Sequence, residues 1–218
     1  MGKIAIVLGA TGVVGRALVN HLALNDQIEE VIALTRRPVD YNLDKVTNKV
    51  VDFEQLEEFA NAFKGDIFFS GLGTTLKLAG SIKQQRQVDV EYQYRAAKLA
   101  LSGGVNQYLL VSSSGANPDS NGSYLKMKGE LEAKVIALNF PQTSIIQPSL
   151  LLGERADFRL GEKLASTLLP VICKLPALSK YRPITGEQVA SKMCHIALHQ
   201  TAHNKLQYYR LDELFNLN

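Results

Sequence analysis

The chain has 218 residues, 46% of them hydrophobic, enough for one large domain with a buried core. Lys and Arg outnumber Asp and Glu by 24 to 21, a net charge of +3, and no basic block is dense enough to serve as a nucleic-acid footprint. Two cysteines, Cys173 and Cys194, without CxxC spacing, exclude a disulfide scaffold and predict a reduced, cytoplasmic protein.

Met1-Gly2-Lys3 leads directly into an apolar run without the basic leader and cleavage site of a signal peptide, so export is not expected. Residues 4–8 are continuously apolar, as in a strand buried on both faces, and Val14, Leu18 and Leu22 give residues 13–24 helical spacing. Residues 31–35 and 49–52 are the second and third predicted strands, 56–63 a helix and 67–70 a fourth strand. A helix over 87–102 stops at Gly103-Gly104, followed by a strand over 108–112, a helix over 123–138 and a strand over 143–147. Helical connections of this length require crossovers, so the prediction is an α/β fold with a doubly wound, mostly parallel sheet. Past Pro148 the alternation fades into a Leu- and Pro-rich region in which only 187–199 is firmly helical. The apolar stretch from Leu164 to Leu178 is broken by Pro170, Lys174 and Pro176; it reads as a packed helix or hydrophobic flap, and no integral membrane segment is expected. There is no internal repeat. One domain over 1–218 is predicted, with 150–218 contributing most of the substrate pocket.

Three motifs carry chemistry. "GATGVVG", residues 9–15, joins the first strand to the first helix, and Gly9, Gly12 and Gly15 have the spacing of a pyrophosphate seat at a helix N-terminus. A ligand-free tight turn is the structural alternative. About twenty residues further on, where an NAD site usually places an acid, stand Thr35-Arg36-Arg37. A guanidinium pairs with the 2′-phosphate of NADP, which a carboxylate would repel, so Arg36 and Arg37 favour NADP unless they are only solvated charges at a strand end. Tyr124 and Lys128 stand four apart at a helix start and project from one face. A lysine ammonium beside a phenol favours the phenolate and makes the tyrosine a usable acid/base. Upstream, Ser112-Ser113-Ser114-Gly115 puts hydroxyls at the carboxyl edge of the sheet, where ligands bind in such folds.

With these residues in place the chain resembles the short-chain dehydrogenase/reductase superfamily, in its atypical, extended-like branch, and most resembles the Tat-interactive-protein-like oxidoreductase group. The resemblance is carried by Gly9 to Gly15, "GLGTT" at 71–75 followed by Lys77 and Ala79-Gly80, "VDVEY" at 88–92, "SSSGAN" at 112–117, "YLKMKGELEAKV" at 124–135 and "PSLLLGER" at 148–155. It covers about the first three-quarters of the chain and implies an NAD(P)-binding Rossmann fold. It further implies that Gly9, Thr11, Gly12, Val13, Val14 and Gly15 line the pyrophosphate, with Arg36 and Arg37 at the adenosine 2′-phosphate. Asp52 and Phe53 would meet the adenine edge, and Gly71, Leu72 and Gly73 the adenosine ribose. Tyr124 becomes the general acid/base, Lys128 the partner of the nicotinamide ribose, and Ser113 the hydrogen-bond donor to a substrate carbonyl, with Ser112 and Ser114 as near-equal rivals. Pro148, Leu150 and Leu151 would cover the nicotinamide. One departure stands out: many relatives carry Arg-Pro where this chain has Gln147-Pro148, so a contact made by that arginine must be absent or replaced.

His195, His199 and His203 recur every four residues, but no acid or cysteine completes a ligand set, and no metal site is expected. Asp44, Asp66 and Asp157 form no carboxylate pair. The resulting expectation is a cytoplasmic NADP(H)-dependent oxidoreductase acting on a small carbonyl or alcohol, with "RPIT" at 182–185 near the pocket mouth. A homodimer is compatible with the chain. The rival is a non-catalytic NADP(H)-binding regulatory or sensor protein.

Overall fold

The computed structural model describes residues 2–152, 180–199 and 204–216. The first half contains β1 (Lys3–Leu8), α1 (Val13–Ala23), β2 (Ile28–Thr35), β3 (Val46–Val50), a 3₁₀ segment (Phe53–Phe63) and β4 (Ile67–Ser70). Then come α2 (Leu76–Ala79), α3 (Ile82–Arg86), a π-helical stretch (Gln87–Tyr92), α4 (Gln93–Ser102), β5 (Gln107–Val111), α5 (Ser123–Ala137) and β6 (Gln142–Gln147). The remainder holds β7 (Leu151–Leu152), β8 (Ile184–Thr185), α6 (Gly186–His199), β9 (Leu206–Arg210) and a 3₁₀ turn (Leu211–Phe215).

The main sheet has the order β3-β2-β1-β4-β5-β6-β9, and every neighbouring pair is parallel. This is the doubly wound α/β architecture that the alternation of elements predicts. The continuous apolar run of β1 has a direct consequence: Ala5 and Val7 enter one core and Ile6 and Leu8 the other. On the first face α1 and α6 pack through Leu18, Leu22, Val189 and Met193. On the second, α4, α5 and the 3₁₀ segment enclose an aromatic row, Phe63, Phe68, Tyr108 and Phe140, with successive ring centroids 6.1, 5.7 and 4.9 Å apart. Strand order reverses between β1 and β4, which opens a crevice at their carboxyl ends, the place where ligands bind in open α/β sheets.

Several elements differ from the sequence reading. β3 begins three residues earlier than expected, because its pairing with β2 starts at Val31 and Val46; the Val51 N–H donates to Thr35 at 2.9 Å just past its end. The helix expected over 56–63 is a 3₁₀ segment starting at Phe53, with non-helical backbone at Gln55 and Phe59. The helix expected over 87–102 is continuous with α3 from Ile82 and passes through the π-helical stretch, a feature that a 3.6-residue period cannot reveal. β9 was not anticipated; it is a half-buried strand completed by pairing with β6. Among the described residues no helix is long and apolar enough to cross a membrane. The apolar stretch 164–178, Cys173, His203 and Asp157 lie outside the described residues.

Candidate active site

A cleft of about 770 Å³ lies at the carboxyl ends of β1, β4, β5 and β6. At the β1–β4 crevice the chain is packed closely through glycines. Gly9 turns the chain at φ +82°, and a Cβ there would sit 2.6 Å from backbone atoms of Gly71 and Leu72. A Cβ on Gly15 would meet the Gly9 carbonyl oxygen at 2.1 Å, so α1 approaches β1 more closely than any side chain allows. Gly12 leads into α1 without a side-chain cap, and no acid occupies the first turn, so the opening amides and the positive dipole end remain available to an anion. Gly71 and Gly73 differ from these two. A Cβ on Gly71 would meet the Leu8 oxygen at 3.7 Å, and one on Gly73 the Asp89 Oδ1 at 3.6 Å, both ordinary contacts. Glycine at these two lining positions is not demanded by the chain's own packing. It keeps the wall flat, as close approach of a ribose and pyrophosphate requires, and the residues present therefore fit a dinucleotide.

The predicted adenosine contacts sit beyond the cleft lining. Arg36 and Arg37 are exposed at the end of β2, and the turn that carries them is anchored. Thr35 Oγ1 donates to the Arg37 carbonyl at 2.8 Å, while Asn48 Nδ2 donates to Thr35 Oγ1 at 2.7 Å and to the Ala33 carbonyl at 2.9 Å. Asp52 caps the 3₁₀ segment by accepting from the Glu54 N–H at 2.9 Å. The Phe53 ring is buried against Tyr92, centroids 5.4 Å apart. Thr11 is exposed at the crest of the glycine turn. Of the remaining predicted binding residues, Val13, Val14, Gly71, Leu72, Gly73, Pro148, Leu150 and Leu151 line the cleft, whereas Gly9, Gly12 and Gly15 are not in its lining.

The opposite wall is made of side chains. Tyr124, on the first turn of α5, and Lys128, one turn on, both line the cleft. Lys128 is only 5% exposed and donates from Nζ to the Val111 carbonyl at 3.2 Å, which spends one of its three N–H donors on the end of β5. All three serines line the cleft, but their hydroxyls are not equivalent. Ser112 is buried and donates to Glu132 on α5. Ser113 is half-buried, with only a long 3.4 Å contact to the Ser114 carbonyl. The segment continues the sheet, since the Ser112 N–H donates to Ile146 at 2.7 Å and that of Ser114 to Pro148 at 2.9 Å. Beyond Pro148, the Ile184 N–H donates to Leu150 at 3.0 Å and Ser149 Oγ donates to Arg182 at 2.5 Å, so residues 182–185 run beside the covering loop.

Where relatives carry an arginine before Pro148, this chain's Gln147 is held in a polar chain. Gln147 Nε2 donates to Glu132 at 2.9 Å, and Arg210 Nε on β9 donates to the Gln147 amide oxygen at 3.0 Å. A guanidinium from the edge strand thus reaches Glu132 through an intervening amide.

Sequence reasoning missed part of the lining: Thr74, Thr75, Leu76, Gln85, Asp89 and Tyr181. Asp89 is 1% exposed and accepts the Thr74 N–H at 2.7 Å, while Gln85 Nε2 donates to Asp89 and to the Thr74 carbonyl, each at 3.4 Å. The available signal was "VDVEY", whose acid stands on the π-helical stretch that turns it toward the β4 loop.

Other titratable candidates stay apart from the cleft lining. The His195 and His199 rings lie 5.1 Å apart on α6, and burial, with His199 and Lys192 nearby, lowers the His195 pKa. Among the described residues no three His, Cys, Asp or Glu are grouped to hold a metal. Cys194 is free and buried, and its thiol pKa is pushed up to about 11 by burial.

Residues 9–161 match the NAD(P)H-binding domain family. The chain is 37% identical over 197 residues to protein FMP52, mitochondrial, of Debaryomyces hansenii, covering 88% of this chain and 87% of the relative. It is 40% identical over 167 residues to protein HTATIP2 of Rattus norvegicus, covering 75% and 69%. In structure it resembles a short-chain dehydrogenase/reductase superfamily protein from Agrobacterium tumefaciens with bound NAD, at TM-score 0.71 and 16% identity, covering 95% of this chain and 77% of that one. The fold of this chain is thus that of NAD(P)-binding oxidoreductases. The relatives also correct one expectation. Cytoplasmic placement was inferred from the cysteines and the N-terminus, whereas the FMP52 relatives, from several yeasts, are named mitochondrial. Two reduced cysteines do not separate one reducing compartment from another. The chain belongs to the NAD(P)H-binding domain family and is a relative of HTATIP2 and FMP52.

Proposed function

We propose that the protein is an NADP-dependent oxidoreductase acting on a small carbonyl or alcohol, with 150–218 shaping its substrate pocket. The observation that carries this reading is convergence: Tyr124, Lys128 and Ser113 line the same cleft as the glycine wall of Gly71 and Gly73. Val13 and Val14 at the start of α1 would seat the pyrophosphate, and Arg36 and Arg37 would pair with the 2′-phosphate. Asp52 and Phe53 would border the adenine. When bound, the cofactor supplies the hydride exchanged with the substrate carbon. Ser113 would donate a hydrogen bond to the substrate oxygen, a duty to which it is better suited than Ser112, whose proton is given to Glu132. Tyr124 would transfer the proton to or from that oxygen. Lys128 would use the donors left over from Val111 to orient the nicotinamide ribose beside Tyr124. Pro148, Leu150 and Leu151 would exclude water from the reacting face. The mitochondrial location named for the FMP52 relatives is carried over to this chain, and fractionation of cells producing it is the check.

The test is NADPH oxidation against a panel of aldehydes and ketones, run beside direct NADPH and NADH titrations. Turnover of at least one carbonyl, with NADPH preferred over NADH, is the expected result. Tight NADPH binding without any turnover would favour a regulatory NADP(H)-binding protein instead.

A further inference from the structure

Glu132 is 7% exposed, and among the described residues it has no lysine or arginine within ion-pair distance. A buried carboxylate costs several kcal/mol unless donors satisfy it. Its Oε1 receives two, the Ser112 hydroxyl and the Gln147 amide at 2.9 Å. Gln147 is equally buried, and its other end accepts from Arg210 Nε at 3.0 Å. An amide that accepts from a guanidinium and donates to a carboxylate is polarised in a single direction, so each bond strengthens the other. Arg210 therefore compensates the Glu132 charge from one strand away. Both charges bear on Tyr208: burial and Glu132 push its hydroxyl pKa up, while Arg210, 4.7 Å over its ring, pulls it down. Arg210 is itself anchored, because its backbone N–H donates to Glu213 at 2.7 Å.

On α5, Tyr124, Lys128 and Glu132 are spaced i, i+4 and i+8 and share one face. Lys128 grips the Val111 carbonyl and Glu132 grips the Ser112 hydroxyl, so consecutive residues at the end of β5 are fastened to the helix that bears Tyr124. Ser113 stands between two residues whose backbone N–H groups are bonded, Ser112 to Ile146 and Ser114 to Pro148. Holding Ser112 toward α5 fixes the direction of Ser113.

We infer that Arg210 is a positioning residue of the active site: through Gln147 and Glu132 it fastens the Ser112 hydroxyl to α5 and sets the orientation of Ser113 in the cleft. The use made of Ser113 rests on the oxidoreductase reading, whereas the fastening of Ser112 does not. β9 is on this account part of the site's scaffold and not merely an edge of the sheet.

Backbone hydrogen exchange over residues 111–115 tests the fastening, in Arg210→Ala and in Arg210→Gln, which retains bulk over Tyr208. Exchange at Ser112 and Ser114 is expected to rise about tenfold, the effect of losing one charge-assisted hydrogen bond, with β1 and β2 unchanged. Adding Gln147→Arg to Arg210→Ala brings a guanidinium directly to Glu132 and should restore slow exchange. Unchanged exchange in both Arg210 variants, an equal rise across the whole sheet, or failure of Gln147→Arg to rescue overturns the inference. With a turned-over carbonyl, Arg210→Ala should lower kcat while NADPH affinity holds, and an unchanged kcat would remove Ser113 orientation from the role. If the wild type turns over no carbonyl, the oxidoreductase reading fails by itself, and the exchange experiment still decides the fastening.

Discussion

Where β1 meets β4, glycines let the chain pack closely, with Gly71 and Gly73 in the cleft lining and Gly9 pressed against Gly71 behind them; where β5 meets α5, the lining is built from polar side chains, Ser113, Tyr124 and Lys128. The first wall needs room and uncapped amides, so its specificity resides in what is absent. The second needs atoms in fixed places, and these are held by a buried polar chain, Ser112–Glu132–Gln147–Arg210. A glycine wall is therefore damaged by adding atoms and a polar wall by removing them.

The comparison can be broken at either end. The largest stability effect is expected from Gly15→Ala, whose Cβ would meet the Gly9 oxygen at 2.1 Å. Such overpacking should cost about 3 kcal/mol in urea denaturation. Gly71→Ala is its control: contacts at 3.7 and 3.9 Å should leave the melting temperature unchanged while NADPH binding weakens. A fall in melting temperature for Gly71→Ala would mean that this wall, too, is shaped by packing alone. On the polar side, Glu132→Ala strands the donors of Ser112 and Gln147 and should cost about 2 kcal/mol, with Glu132→Gln costing less because an acceptor remains. Equal losses for both would show that charge, and not acceptance, is what the chain requires. Arg36→Ala should cut the preference for NADPH over NADH by about tenfold, roughly one lost charge-assisted contact. Equal affinities for the two cofactors in the wild type would remove the 2′-phosphate argument.

The smallest effect lies away from the cleft lining, at the 3₁₀ segment. Arg95 holds Glu57 and the 3₁₀ segment together, and the hydrogen bond from Arg95 lowers the Glu57 pKa from 4.5 to about 2. A depressed carboxylate contributes stability that is full above pH 4.5 and lost as pH falls toward 2. Glu57 is exposed, so solvent screens most of this contribution. Acid titration of the melting temperature should show a slightly shallower slope in that window for Glu57→Gln than for wild type.

The glycine wall was largely legible in the sequence, because backbone demands act locally: a turn at Gly9 and a close approach at Gly15 lie within one strand-turn-helix unit. The strands β1, β4 and β5 were legible for a similar reason, being largely apolar runs with buried side chains, and β6 through its β-branched Thr143, Ile145 and Ile146. β3 is half-exposed and carries no such run, so only its pairing with β2 defines it. The polar wall was half legible. The Tyr124–Lys128 spacing declared one helix face, yet the rank of the three serines depends on Glu132, and Gln147 is held by Arg210, 63 residues beyond it. The i+8 continuation from Tyr124 to Glu132 was the available clue. Asp89 was concealed because a π-helical turn alters its direction without altering the sequence period.

The division of labour between the two walls is tested most directly by Tyr124→Phe, with NADPH affinity and carbonyl turnover measured on the same preparation. The account predicts unchanged affinity and a turnover reduced by a factor on the order of 10² to 10⁴, the usual contribution of a general acid/base. Full turnover in the variant would contradict it.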